Sequence, residues 1–168
     1  MFRNLKVKVH IVAIFSIGLL TSCYMKHGHP TDEELLGNWQ THKTDFDQLL
    51  QMFQTDKKLS RVSFDFTRPE HPDEIGISIE RVNKYKGYFN KLGLTAGIEG
   101  YDERDTIWFY SSTQGLAVSG SSKGYAYLEI KPKLIVDDLD KYWSKDGKSF
   151  TAFKNIEGNW YLYLQFQN

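Results

Sequence analysis

The second half of the chain dictates the architecture. From Thr106 onward five short segments read as strands: Thr106 to Ser111, Leu116 to Ser119, Tyr125 to Ile130, Phe150 to Lys154 and Trp160 to Phe166. Gly, Ser, Asn and Asp clusters separate them, and most gaps are too short for the crossover of a dozen or more residues that parallel neighbours need. The strands therefore pair antiparallel, with Asn155-Ile156-Glu157-Gly158-Asn159 as the connection of a C-terminal hairpin. In the last strand Trp160, Leu162, Leu164 and Phe166 share one face and belong to the core. Tyr161 and Tyr163 point the other way, and either lie under a helix or form an exposed binding stripe; coverage is the simpler reading.

The first half supplies helices. Thr31 followed by Asp32, Glu33 and Glu34 has the form of a capping box, opening a short helical turn that Gly37 is expected to stop. Phe46, Leu49, Leu50 and Phe53 then recur at i, i+3, i+4 and i+7, a helix capped by Thr44 or Asp45. Val62, Phe64 and Phe66 alternate with Arg61, Ser63 and Asp65 as a strand, and the proline-rich Arg68 to Asp73 makes a loop. A second main helix runs from Ile79 to Leu92 with Val82, Tyr85, Phe89 and Leu92 on one face and Gly93 as its stop. Lys133 to Trp143 extends and then makes a short helical turn around Asp138 to Tyr142.

These elements add up to one α+β domain over residues 32–168, a mostly antiparallel sheet of four to six strands with two main helices packed on one face. Four Trp, ten Tyr and eleven Phe give it an aromatic core, each ring burying on the order of 150–250 Å². With a single cysteine, Cys23, the domain holds together without disulfides.

Cys23 has another assignment. Arg3, Lys6 and Lys8 precede an apolar run from Ile11 to Leu20, then the small residues Thr21 and Ser22, the three-part layout of an export signal. Ten residues make roughly 15 Å of helix, half of a hydrocarbon core about 30 Å thick, so the run is a signal rather than a span. Leu20-Thr21-Ser22-Cys23 resembles the lipobox of bacterial lipoproteins. That resemblance, confined to the first 23 residues, implies cleavage between Ser22 and Cys23, thioether lipidation of Cys23 and acylation of its amine. Several chains at about 0.8 kcal/mol per buried methylene hold such a protein on its membrane almost permanently. By the same resemblance Tyr24, where aspartate would signal retention at the inner membrane, favours the outer membrane. The competing reading of Cys23 is a buried free thiol.

The chain thus divides into a signal peptide at 1–22, a lipidated tether at 23–31 and the domain. Tyr24 to Thr31 reaches at most about 26 Å. Removal of the signal leaves 146 residues with 18 basic against 21 acidic side chains, a mildly acidic body with no electrostatic reason to bind nucleic acid.

Chemical motifs are few. Gly120-Ser121-Ser122-Lys123-Gly124 satisfies the G-x-S-x-G pattern of α/β-hydrolases, with Ser122 as nucleophile. A strand rather than a helix follows it, and no histidine lies after Ser122, so a Gly/Ser turn or kink is the better reading. Gly115 to Gly120 starts like a phosphate loop but has Ser121 where lysine is required. His27 and His29 are spaced to touch a metal, yet read as solvated tether residues; His42 and His71 stand alone. The clusters Asp102-Glu103-Asp105 and Asp137-Asp138-Asp140 lack the layout of a calcium loop and read as solvated loops or strand ends.

No catalytic, cofactor or metal residue is therefore assigned, and no cofactor. The expectation is a nonenzymatic lipoprotein of the bacterial envelope, anchored through Cys23 to the outer membrane and facing the periplasm, that binds an unidentified protein as an immunity or inhibitor module. The alternatives are a small-ligand binder with an aromatic pocket, or a structural or assembly lipoprotein.

Overall fold

The computed structural model describes residues 28–100, 105–116, 119–142 and 147–168. Cys23, the signal segment, His27, the Asp102 to Arg104 stretch and Trp143 lie outside them. No helix among the described residues is long and apolar enough to cross a membrane.

Helix α1 spans Asp32–Thr55. Its capping box is formed: the Glu34 amide donates to Thr31 Oγ1 at 3.3 Å and the Thr31 amide donates to Glu34 Oε2 at 2.8 Å. The helix does not stop at Gly37. A mid-helix glycine costs about 1 kcal/mol, and burial of Leu35 and Trp39 on either side outweighs that. The break expected near Thr44 and Asp45 survives as a kink at His42 (φ −120°, ψ 20°), whose Nδ1 lies 3.3 Å from Asp45 Oδ2.

The strand expected across Val62 to Phe66 is a tight hairpin instead. Strands β1 (Arg61–Val62) and β2 (Thr67–Arg68) pair antiparallel. Ser63 Oγ accepts the amides of Phe66 (3.2 Å) and Asp65 (3.4 Å), and the Ser63 amide donates to the Phe66 carbonyl (2.9 Å). A serine that captures the next amides competes with the sheet ladder and turns the chain. Val62 stays buried, Phe64 packs edge-on against Phe89, and Phe66 is 41% exposed.

After a 3₁₀ turn at Pro72–Ile75, helix α2 spans Ile79–Leu92 with the expected face buried. Ser78 caps its start and Gly93, at φ 66°, ends it. The C-terminal end of α1 is fastened to α2 by Asp56, which accepts from Arg81 Nε (2.7 Å) and from the Tyr85 hydroxyl (2.7 Å). The Asp56 carboxylate in turn raises the Arg81 pKa, through the hydrogen bond first and its charge second.

Among the described residues the sheet has seven strands, not four to six, all paired antiparallel in the order β2-β1-β3-β4-β5-β7-β6. The unforeseen member besides β2 is β3 (Gly97–Gly100), which joins β1 to β4 (Thr106–Leu116). Gly97 is required there: at φ 82° a Cβ would stand 2.0 Å from the Val62 carbonyl oxygen. The strand expected at Leu116 to Ser119 is divided between neighbours: Leu116 ends β4 and pairs with Ser119, the first residue of β5 (Ser119–Leu128), next to the pair Gly115 and Gly120, while residues 117 and 118 lie outside the described ones. Strands β6 (Phe150–Glu157) and β7 (Trp160–Gln167) form the C-terminal hairpin, turning at Gly158 and Asn159. The turn expected around residues 138–142 is a single one, closed by the Tyr142 amide on the Leu139 carbonyl at 3.3 Å, and does not grow into a helix; Ile135 pairs in parallel with Phe153 on the outer edge of β6.

Both helices pack on one face of the sheet. Phe46, with no exposure, sits at the centre of that layer against the rings of Phe109, Tyr125 and Trp160 at 6.1, 4.5 and 5.8 Å. The other face carries a smaller cluster of Ala126, Leu128, Phe153, Tyr161 and Tyr163, flanked by Trp108 and Tyr110. Tyr161 and Tyr163 are buried as expected, but by neighbouring rings: Trp108 meets Tyr163 at 4.7 Å and Phe153 meets Tyr161 at 6.1 Å. No helix of the described residues takes part in that cluster.

Candidate functional site

Alternation along β5 puts Ser121, Lys123 and Tyr125 on the helix side and Ser122 on the other. Two polar sites grow from that placement. The first is at His29, which is not a solvated tether residue. Its ring lies half-buried on the sheet, Nδ1 2.9 Å from Ser112 Oγ on β4 and Nε2 2.7 Å from Ser121 Oγ on β5. A bulge between Tyr110 and Ser112 sets the register in which Ser112 opposes Lys123 and Ser121 opposes Gln114, so the two hydroxyls form a diagonal that one imidazole spans.

Burial, and after it the charge of Lys123, lowers the His29 pKa, so the ring is neutral at pH 7 and has one N–H to donate and one nitrogen to accept. That pairing resembles a base beside a hydroxyl nucleophile, but on Ser121 rather than on Ser122. Ser122 is buried on the opposite face, its Oγ 3.5 Å from Gln165 Oε1. Ser121 lies inside the ladder, paired with Gln114 on one side and Phe166 on the other, so its surroundings are extended sheet backbone rather than a turn with amides aimed at a developing oxyanion. Chemically, the arrangement fastens the residues before α1 to two strands.

The second site is at Asp32, the first residue of α1, only 4% exposed. Lys123, 2% exposed, places Nζ 2.7 Å from Asp32 Oδ1 and donates also to Asp140. Asp32 Oδ2 accepts from Lys154 Nζ and from the Leu139 amide, both at 3.0 Å, and the Asp32 amide donates to Asp140 Oδ2 at 2.9 Å. Burial alone would raise the Asp32 carboxyl; the hydrogen bonds from Lys123, Leu139 and Lys154 overcome it and hold the pKa below its ordinary value. Asp32, Asp138 and Asp140 offer carboxylate oxygens within 4.8 Å of one another. The positive charge these carboxylates face is that of Lys123 and Lys154, with Lys141 on Asp138 at 2.7 Å, so the cluster is an ion-pair network in which ammonium groups stand where a cation would.

This network forms the wall of an open cleft of about 540 Å³ shared with Glu33, Leu36 and Gln40. A second, of about 420 Å³, lies between α1 and α2 and is lined largely by polar side chains, among them Gln48, Arg81 and Lys84. Neither is an aromatic pocket. Two buried aromatic hydroxyls are tied into the fold: Tyr125, its pKa pushed up to about 12 by burial, donates to the Leu35 carbonyl at 3.0 Å. Tyr110 donates to Glu99 at 2.7 Å beside Arg61.

Among the remaining histidines and acids, His71 precedes the 3₁₀ turn without capping it through its side chain, and the Asp105 carbonyl accepts from the Glu129 amide. Asp137 is exposed. Sequence reasoning missed both His29 and Lys123; for Lys123 the signal was a lysine on the face of β5 shared with Tyr125 and Tyr127, where only a paired charge can be buried. No protein-family profile, no curated protein and no solved structure matches this chain.

Proposed function

We propose that this chain is a nonenzymatic lipoprotein of the bacterial cell envelope, anchored by lipid on Cys23, and that its domain binds a protein as an immunity or inhibitor module at the periplasmic face of the outer membrane. The observation that supports this reading most is the docking of His29 on Ser112 and Ser121, six residues after Cys23. A body fastened so close to the candidate anchor is built to act at a surface. The charges of its polar network are paired within the domain, and its two clefts beside α1 are open and lined largely by charged and amide side chains, which suits contact with another macromolecule better than enclosure of a small ligand.

The test has two arms. Intact mass of the protein from membranes should show a lipidated Cys23 at the new N-terminus, and Cys23→Ser should accumulate as unprocessed precursor; normal maturation of that variant refutes the anchor. Affinity purification of the lipidated protein should recover one dominant protein partner, and its repeated absence counts against the binding module.

A further inference from the structure

We infer that the end of the sheet where Leu116 of β4 pairs with Ser119 of β5, and where β7 ends beside them, faces the bilayer as a lipid-headgroup contact surface. The inference rests on the lipid anchor at Cys23 and adds the orientation that the anchor imposes.

The argument is one of reach. His29 is pinned at Ser121, near the start of β5. Six residues separate Cys23 from His29 and span at most about 20–22 Å when fully extended. From Ser121 to Ser119, at that end, is two residues, about 7 Å along the strand; from Ser121 to Leu128, at the other end, is seven, about 24 Å. A segment of six residues cannot bring lipid on Cys23 to the level of Leu128 even without slack. It reaches past Ser119 easily.

Charge points the same way. Among the described residues, the strand ends nearest His29 carry Gln114, Ser119, Thr151 and Gln167, with Lys148 beside them and no carboxylate side chain. The other end of the same strands carries Asp105 and Glu129, and Glu157, which is paired with Lys43. The nearest acids on the helix side, Asp32 and Asp140, are paired with Lys123 and Lys154. An anionic headgroup layer repels the acidic end and tolerates the neutral one.

Because Cys23 is the only cysteine and a thioether consumes its sulfur, Gln114→Cys and Glu129→Cys each offer one thiol for a fluorophore, both at exposed positions. Each labelled, lipidated protein is reconstituted into phosphatidylethanolamine and phosphatidylglycerol vesicles that carry a headgroup nitroxide. Strong quenching at 114 with little at 129 is expected. Equal quenching, or the reverse, in protein that floats with the vesicles overturns the orientation and leaves the anchor standing. Protein that does not float and has an unmodified Cys23 mass overturns both. His29→Ala, which keeps Cys23, should float and lose much of the contrast between the two labels; an unchanged contrast refutes the part assigned to the His29 contact.

Discussion

Replacing Lys123 with methionine should destabilise the domain by about 3 kcal/mol. Lys123 Nζ is 2.7 Å from Asp32 Oδ1, a separation worth roughly 6 kcal/mol at an effective dielectric of about 20. Most of that offsets the cost of desolvating two ions that are each almost wholly covered, so the pair contributes little over an apolar pair of similar volume. Removing one partner is different, because Asp32 stays buried with its charge. Such half-removals cost about 3–5 kcal/mol, and the lower figure applies because Lys154 and the Leu139 amide still reach Asp32 Oδ2 while Asp140, 38% exposed, regains water. The measurement is urea unfolding followed by tryptophan fluorescence. With a slope near 2 kcal/mol/M the midpoint should fall by about 1.5 M. Asp32→Asn combined with Lys123→Met should recover part of the loss, a coupling of roughly 2 kcal/mol or more. The pH dependence has a fixed sign: a carboxyl with a depressed folded pKa contributes stability above its ordinary value near 4, and that contribution is lost as the pH falls through the folded value. A Lys123→Met cost below about 1 kcal/mol, or strict additivity with Asp32→Asn, would refute the reasoning.

Phe46→Ala, which empties the centre of the helix-side layer, should cost about 3–5 kcal/mol in the same unfolding assay, whereas Phe66→Ala, which removes only the half-exposed ring under Arg61 and Arg68, should cost about 1 kcal/mol. Gly97→Ala should prevent accumulation of soluble protein, since its Cβ meets the Val62 carbonyl, while Gly76→Ala, also at positive φ but in open space, should fold with a loss of about 1 kcal/mol. For His29, NMR titration should give a midpoint below the ordinary 6.5, and amide-exchange protection around Ser121 should decline as the pH falls from that value through the folded pKa; a midpoint at or above 6.5 contradicts the docked, neutral ring.

The parts of this fold legible in the sequence are those decided by neighbours along the chain. Helix α2 was readable end to end because its apolar spacing and Gly93 are local signals, as were the capping box at Thr31 and the alternation of β7. Strand β3 was not. Gly97-Ile98-Glu99-Gly100 has no pattern of its own and becomes a strand because β1 and β4 offer free edges on either side. The alternation of Val62, Phe64 and Phe66 promised a strand, and Ser63 overrode it through hydrogen bonds that composition does not reveal. The two polar sites were still further from view. His29 meets partners 83 and 92 residues away, and Asp32 takes its amide donor from 107 residues on.

That separation matters for the proposed anchor as well as for prediction. Ordering His29, Pro30 and Thr31 costs about 1–2 kcal/mol of backbone entropy per residue, on the order of 3–6 kcal/mol together. A free tether would avoid that cost. Here two hydrogen bonds to His29, the Thr31 capping box and the charge-assisted bonds at Asp32 contribute about 1 kcal/mol each for the neutral ones and up to about 3 for a charged one, enough to hold the segment down. Within four residues the chain thus passes from His29, bound to β4 and β5, to Asp32, bound to β5, β6 and the segment around Leu139. A pull applied at Cys23 is therefore taken up by three strands of the sheet before it reaches α1. On the proposed anchor, weakening His29 should loosen where the domain stands relative to Cys23 well before it lowers the stability of the core.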